Sequence, residues 1–241
     1  DPSRPREGAR GVGGRRRGGR VSGWPERLDL RADPDADLSE VGRHVRTGKL
    51  IAYPTETVYG LGGDTSEAAV AELRRLKSRE HEKPFLLLVE SADAVRDLRW
   101  TPAARVLAET FWPGSLTLVL EDPLGIFPER VSGEGGRRVG VRVSPHPLVA
   151  RLLREVGGPL TSTSLNAPGE PPATSGSEAV EVVRRLGGRE VLVLDVGTLP
   201  RSGSSTVVDA TGDEPVVLRE GSIPTSRLRC AIPRIHGDES I

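Results

Sequence analysis

From residue 36 the chain alternates between apolar residues at helical spacing and short apolar runs bounded by turn residues. Ala36, Leu38, Val41 and Val45 share one helical face, and Gly48 marks a stop. KLIAYP (49–54) then predicts a short strand, and Ser66 to Lys77 a helix with Ala69, Val70, Leu73 and Leu76 inward. PFLLLV (84–89) is a continuous apolar run, as expected of a strand covered on both sides. Thr101 and Pro102 form a cap and first-turn pair for a helix ending near Phe111, followed by the strand SLTLVL (115–120). The second half predicts strand VGVRV (139–143), helix His146–Val156 stopped by Gly157, strand PLTSTS (159–164) and a helix from Ser177 to Leu186. Strands VLVLD (191–195), STVVD (205–209) and PVVLR (215–219) follow. Helices interleaved with strands must cover the sheet faces, so the fold class is α/β, with a mixed open sheet flanked by helices. Beyond Ile223 little pattern is visible, and a wrapping or fraying tail is expected.

Composition narrows this picture. The 241 residues are 36% hydrophobic, and 29 glycines bring the apolar share into the globular range; with 20 prolines the chain stays short of low complexity. Formal net charge is zero but unevenly placed. Residues 1–27 carry eight arginines against Asp1, Glu7 and Glu26, while the remainder is acidic by five. That segment lacks an apolar period and predicts a flexible Arg/Gly-rich tail, either a solvated extension or a nonspecific RNA-binding arm. The single Cys230 excludes an intrachain disulfide and a cysteine-based zinc site, and fits a reducing, cytoplasmic setting. No apolar run reaches the length of a membrane span, and no signal-peptide core is present. The chain contains no methionine, as expected of an N-terminus that is incomplete or processed. Its basic residues are skewed: Lys49, Lys77 and Lys83 stand against 31 arginines.

Standard phosphate-loop spacings fail. GLGGD (60–64) is not G-x-G-x-x-G, and no Walker sequence occurs. His44, His81, His146 and His236 are dispersed without metal-ligand spacing and read as surface or capping residues. The polar candidates are four segments near strand ends. In PTETVYGLGGD (54–64), Pro54 discourages further strand, while Gly60, Gly62 and Gly63 permit close backbone approach to a ligand. KSREHEKP (77–84) gathers Lys77, Arg79 and Lys83 at a helix exit, and TSTSLNAPGEP (161–171) and SGSSTVVD (202–209) set hydroxyls beside apolar strands. Each alone reads equally as an ordinary turn or helix cap. Together, at the strand ends of an open α/β sheet, they suit an enzyme that holds polyphosphate and carboxylate by position and charge.

PTETVYGLG (54–62), KSREHEKP (77–84), FWPGSLTLVL (111–120), VGVRVSPHP (139–147), PLTSTSLN (159–166), STVVD (205–209) and LREGSI (218–223), in this order, resemble the YrdC-like family of L-threonylcarbamoyladenylate synthases. The resemblance covers roughly residues 35–225, with SLN where SAN is usual and WPGS where WPGP is common. It implies a YrdC-like twisted mixed open sheet in a single catalytic domain, residues 28–225. A tail would precede it (1–27) and another follow it (226–241), without the additional C-terminal domain of longer members. It also implies a nucleotidyltransferase that converts L-threonine, bicarbonate (or CO2) and ATP, with Mg2+, to threonylcarbamoyl-AMP and pyrophosphate. A downstream threonylcarbamoyl transferase system would pass the product to tRNA. Carried over by position, Lys77 and Arg79 would be catalytic, and Thr55, Arg79 and Ser205 would bind threonine. Lys77, Arg142, Ser164, Asn166 and Arg219 would hold the nucleotide, with Tyr59 and Lys83 shaping the pocket and no metal ligated directly. Two rivals are a non-enzymatic protein of the same fold that binds tRNA or double-stranded RNA, and a carbamoyl-phosphate-dependent relative. The latter carry zinc-finger segments that one cysteine does not supply.

Overall fold

The computed structural model describes residues 20–21, 26–78, 84–132, 137–200 and 202–237. Its strands are β1 (Arg20–Val21), β2 (Arg27–Asp29), β3 (Ile51–Pro54), β4 (Tyr59–Gly62), β5 (Leu86–Leu88), β6 (Leu116–Glu121), β7 (Arg138–Arg142), β8 (Leu160–Ser164), β9 (Leu192–Asp195), β10 (Thr206–Asp209) and β11 (Val216–Arg219). The helices are α1 (Ser39–Arg46), α2 (Glu67–Lys77), α3 (Pro102–Phe111), α4 (Glu129–Ser132), α5 (Pro147–Val156), α6 (Gly176–Leu186) and α7 (Thr225–Ala231). The helix starts follow local chemistry. Ser66, Thr101 and Ser175 accept hydrogen bonds from first-turn amides, and Pro102 and Pro147 occupy first turns where a missing N–H is harmless. Gly157 and Gly187 end α5 and α6 in the left-handed conformation that suits glycine.

The strands form one mixed sheet in the order β1-β2-β9-β3-β4-β8-β5-β7-β6-β10-β11. β8 is its pivot: Leu160, Thr161 and Ser162 pair antiparallel with β5, while Thr163 and Ser164 pair with β4. On the β1-to-β4 side both faces are covered. Val41 and Val45 of α1 and Leu148 and Leu152 of α5 pack with Ile51, Tyr53, Leu192 and Leu194. The alternate residues Leu50, Ala52 and Val193 meet Val70 and Leu73 of α2 and Val182 and Val183 of α6. On the β5-to-β11 side, α3 and α7 cover one face only, through Ala104, Leu107 and Leu228 against Leu116, Leu118, Val141, Val208 and Val217. The other face, carrying Thr117, Arg138, Gly140, Arg142, Ser205 and Asp209, lines a cavity.

Several expectations change. The segment expected to be a flexible tail up to residue 27 includes β1 and the start of β2, which pair with each other; residues 1–19 and 22–25 lie outside the described residues. Of the two outcomes expected after Ile223, the chain wraps rather than frays up to residue 237: α7 buries Leu228, Ile235 joins the core, and His236 bridges to Val216. PTETVYGLGGD is more than an ordinary turn: it supplies the bend and second strand of the β3–β4 hairpin. PFLLLV buries Leu87 and Leu88, but Leu86 opens onto the cavity, so this strand is not covered on both sides throughout.

Candidate active site

The cavity measures about 910 Å3, near the top of the roughly 300–1,000 Å3 typical of ligand sites. Strand periodicity builds it. Side chains alternate across a sheet, so Arg138, Gly140 and Arg142 of β7 face the cavity while Val139 and Val141 face the core. β10 and the residue before it repeat the device: Ser205, Val207 and Asp209 face one way, Thr206 and Val208 the other.

Thr55 sits in the hairpin bend, only 2% exposed. Its hydroxyl donates to the Val58 carbonyl (2.7 Å) and lies 3.0 Å from that of Thr57. Across the cavity, Ser205 meets the Thr117 hydroxyl at 3.0 Å, and Arg219 donates from Nη2 to the Ser205 carbonyl (2.8 Å). Two loops fix this edge. The Thr206 hydroxyl donates to the Ile223 carbonyl and accepts the Gly221 and Ile223 amides, while Ser222 donates to the carbonyls of Gly203 and Ser204. Gly221 is required there, since a Cβ would stand 2.2 Å from the Ser204 carbonyl oxygen.

Arg142 is 4% exposed and faces Glu56 at 3.4 Å. Burial lowers its affinity for the proton, the Glu56 carboxylate opposes that shift, and the Arg219 charge adds to it. Its Nε is a buried donor without a partner among the described residues. A buried cation facing a single carboxylate is a costly arrangement, and the costs of this kind gather at functional sites. Thus Thr55, Arg142, Ser164, Ser205 and Arg219 of the expected set share one cavity.

Lys77 and Asn166 form an adjoining cluster that reaches the cavity through Ser164. The Lys77 ammonium donates to the Ser164 carbonyl (3.0 Å), the Asn166 carbonyl (2.8 Å) and Asn166 Oδ1 (2.7 Å). Ser164 Oγ donates to the same Oδ1 at 2.8 Å. Three oxygens around one nitrogen match the three donors of an ammonium rather than the planar fork of a guanidinium. Ser78, which follows, adopts a left-handed φ of 46° and turns the chain out of α2. Arg79 and Lys83 lie outside the described residues.

Two expectations are corrected here. Tyr59 does not shape the cavity: its hydroxyl donates to the Gly197 carbonyl (2.9 Å) beyond β9 and accepts the Val196 amide, and burial pushes its pKa up to about 12. Gly62 serves the sheet rather than a ligand, because a Cβ there would lie 1.7 Å from the Thr161 carbonyl of β8. Gly63 likewise bonds through its amide to the Thr161 hydroxyl; of the three glycines, Gly60 lines the cavity. Among the described residues no three His, Cys, Asp or Glu side chains converge to hold a metal, and no helix is long and apolar enough to cross a membrane.

Against known proteins, a family model named for Sua5, YciO and YrdC, with the description Telomere recombination, matches residues 43–221. The chain belongs to the Sua5/YciO/YrdC family. Within it, the chain is 33% identical over 211 residues to the threonylcarbamoyl-AMP synthase of Bacillus subtilis, covering 86% of this chain and 60% of that one. To the threonylcarbamoyl-AMP synthase of Stenotrophomonas maltophilia it is 47% identical over 152 residues, 59% of this chain and 78% of that one. The crystal structure of P. abyssi Sua5 complexed with L-threonine superposes with a TM-score of 0.76 at 32% identity, over 83% of this chain and 58% of that one. The chain thus spans about three fifths of the length of its Bacillus and Pyrococcus relatives.

The mixed α/β sheet flanked by helices, shared with the Pyrococcus structure, is the architecture expected from the sequence. Sequence reasoning missed Glu56, Thr57, Ser115, Thr117, Arg138, Ser144 and Asp209. The available signal was alternation: in RVGVR every second residue is arginine or glycine, which marks a strand with one solvated face, while STVVD shows it only at its ends, through Ser205 and Asp209.

Proposed function

We propose that the chain is an L-threonylcarbamoyladenylate synthase, a nucleotidyltransferase that joins L-threonine, bicarbonate and ATP. The observation that carries this reading is the cavity itself: a buried arginine, a second arginine at its rim and several hydroxyls face one space on the open side of the sheet. It belongs to a family whose Pyrococcus member was solved with L-threonine.

Thr55 and Ser205 hydrogen-bond the amino acid, and Arg79 pairs with its carboxylate as a bidentate fork. The neutral amine attacks the bicarbonate-derived carbon to give a carbamate and water. A carbamate oxygen then attacks the α-phosphorus of ATP, and pyrophosphate leaves. Both steps gather negative charge in one place. Arg142 and Arg219 offset it from the sheet, and Lys77 holds the Ser164–Asn166 wall from the α2 end. Among the described residues, the one carboxylate that lines the cavity, Asp209, is already paired with Arg138 at 3.0 Å. This donor set fits a Mg2+ that arrives on the ATP phosphates, where it neutralises phosphate charge. The product would pass to a transferase acting on tRNA in the cytoplasm. Incubation with ATP, threonine and 13C-bicarbonate should give an AMP conjugate of threonine carrying the labelled carbon in its mass spectrum. A conjugate without label, or none from folded protein, would refute this reading.

A further inference from the structure

Glu56 stands between two cavity-lining threonines, and its own side chain is 13% exposed. It reaches three elements at once. Its Oε1 lies 3.4 Å from Arg142 Nη1 and accepts the Ser115 hydroxyl at 3.3 Å, and its Oε2 accepts the Ser144 hydroxyl at 2.6 Å. Ser144 Oγ in turn accepts the amide of His146, the N-cap of α5. The carboxylate therefore joins the hairpin bend, the start of β6 and the end of β7, the three places from which Thr55, Thr117 and Arg142 enter the cavity.

We infer that Glu56 is a positioning residue: it orients the Arg142 guanidinium so that the arginine presents its charge to a polyphosphate anion in the cavity. The inference rests on the proposed function only for the identity of that anion. Among the described residues Arg142 has one charged partner, its Nε has none, and Arg219 repels it. Loss of the Glu56 charge leaves the guanidinium buried and unbalanced, free to adopt another rotamer or draw in water. In Glu56→Gln the amide oxygen still accepts from one serine hydroxyl, and the NH2 donates to the other, which turns to accept, so charge is removed with little change of shape.

The test is a double-mutant cycle on Glu56→Gln and Arg142→Met, read by calorimetric binding of inorganic pyrophosphate and by melting temperature. Glu56→Gln should weaken pyrophosphate at least about tenfold while the melting transition stays cooperative, and should have no further effect on binding in the Arg142→Met background. Glu56→Asp, one methylene shorter, should restore part of the affinity. Equal losses with and without Arg142, an unchanged affinity in Glu56→Gln, or a wild-type protein that does not bind pyrophosphate would each overturn the inference. Threonine-dependent turnover, measured separately, decides the functional reading, so the two failures are distinct.

Discussion

The two halves of the sheet use their strands differently. From β2 to β4 each apolar residue meets a helix on one side or the other, and β3 and β9 are buried along their whole length. From β6 to β11 a layer of helix covers one face, and alternate positions carry arginines, hydroxyls and a carboxylate instead. On the proposed function, stability should then rest more on the doubly covered half and ligand chemistry on the half with an open face, with β8 shared between them. A substitution's effect should depend on which half, and which face, it falls on.

The largest effect is expected from Leu194→Ala in the doubly covered half. It removes a fully buried side chain and should cost about 2–5 kcal/mol of stability. The melting temperature should fall, with turnover per folded molecule nearly unchanged. Next comes Arg219→Ala on the open face, which should lower threonine-dependent turnover about a hundredfold while moving the melting temperature by only a few degrees. An equal split of both effects in both variants would break the comparison.

Lys77→Arg sharpens it at the boundary. Charge is kept, but a guanidinium cannot reproduce three bonds to the Ser164 and Asn166 oxygens, so turnover should fall about tenfold. Lys49→Arg should change nothing, because that ammonium pairs at the surface with Glu190 at 2.7 Å. The smallest effect is on pH dependence. Burial lowers the pKa of His44 and of His146 below the ordinary 6.5. The unfolded chain then binds protons first, and stability is lost as pH falls through 6.5 toward the lowered values. His146→Asn, which keeps an N-cap acceptor, should flatten part of that decline in melting temperatures recorded between pH 8 and 5.5.

What could be read from the sequence follows the same division. Helices with a strong apolar face and a cap, such as α3 after Thr101-Pro102, were legible because local chemistry decides them. β4 was not: two of its four residues are glycines, and only pairing with β3 and β8 makes Tyr59–Gly62 a strand. α7 was hidden because one buried leucine, Leu228, does the packing. In the site, the motifs marked Thr55, Arg142, Ser164, Ser205 and Arg219, which do converge on one cavity. Glu56 stayed invisible, since its hydroxyl partners stand 59 and 88 residues away and no local pattern announces them. Lys77 stood out as one of three lysines, while its attachment to the Asn166 side chain and two carbonyls depends on residues 87 and 89 positions away.

The central claim, that the open face of the sheet is where threonine, bicarbonate and ATP react, is tested most directly by pyrophosphate release from ATP with each co-substrate supplied or omitted in turn. Release that requires both threonine and bicarbonate, and is lost in Arg219→Ala while Leu194→Ala retains it per folded molecule, is the predicted result. Release independent of threonine, or none from correctly folded protein, would contradict it.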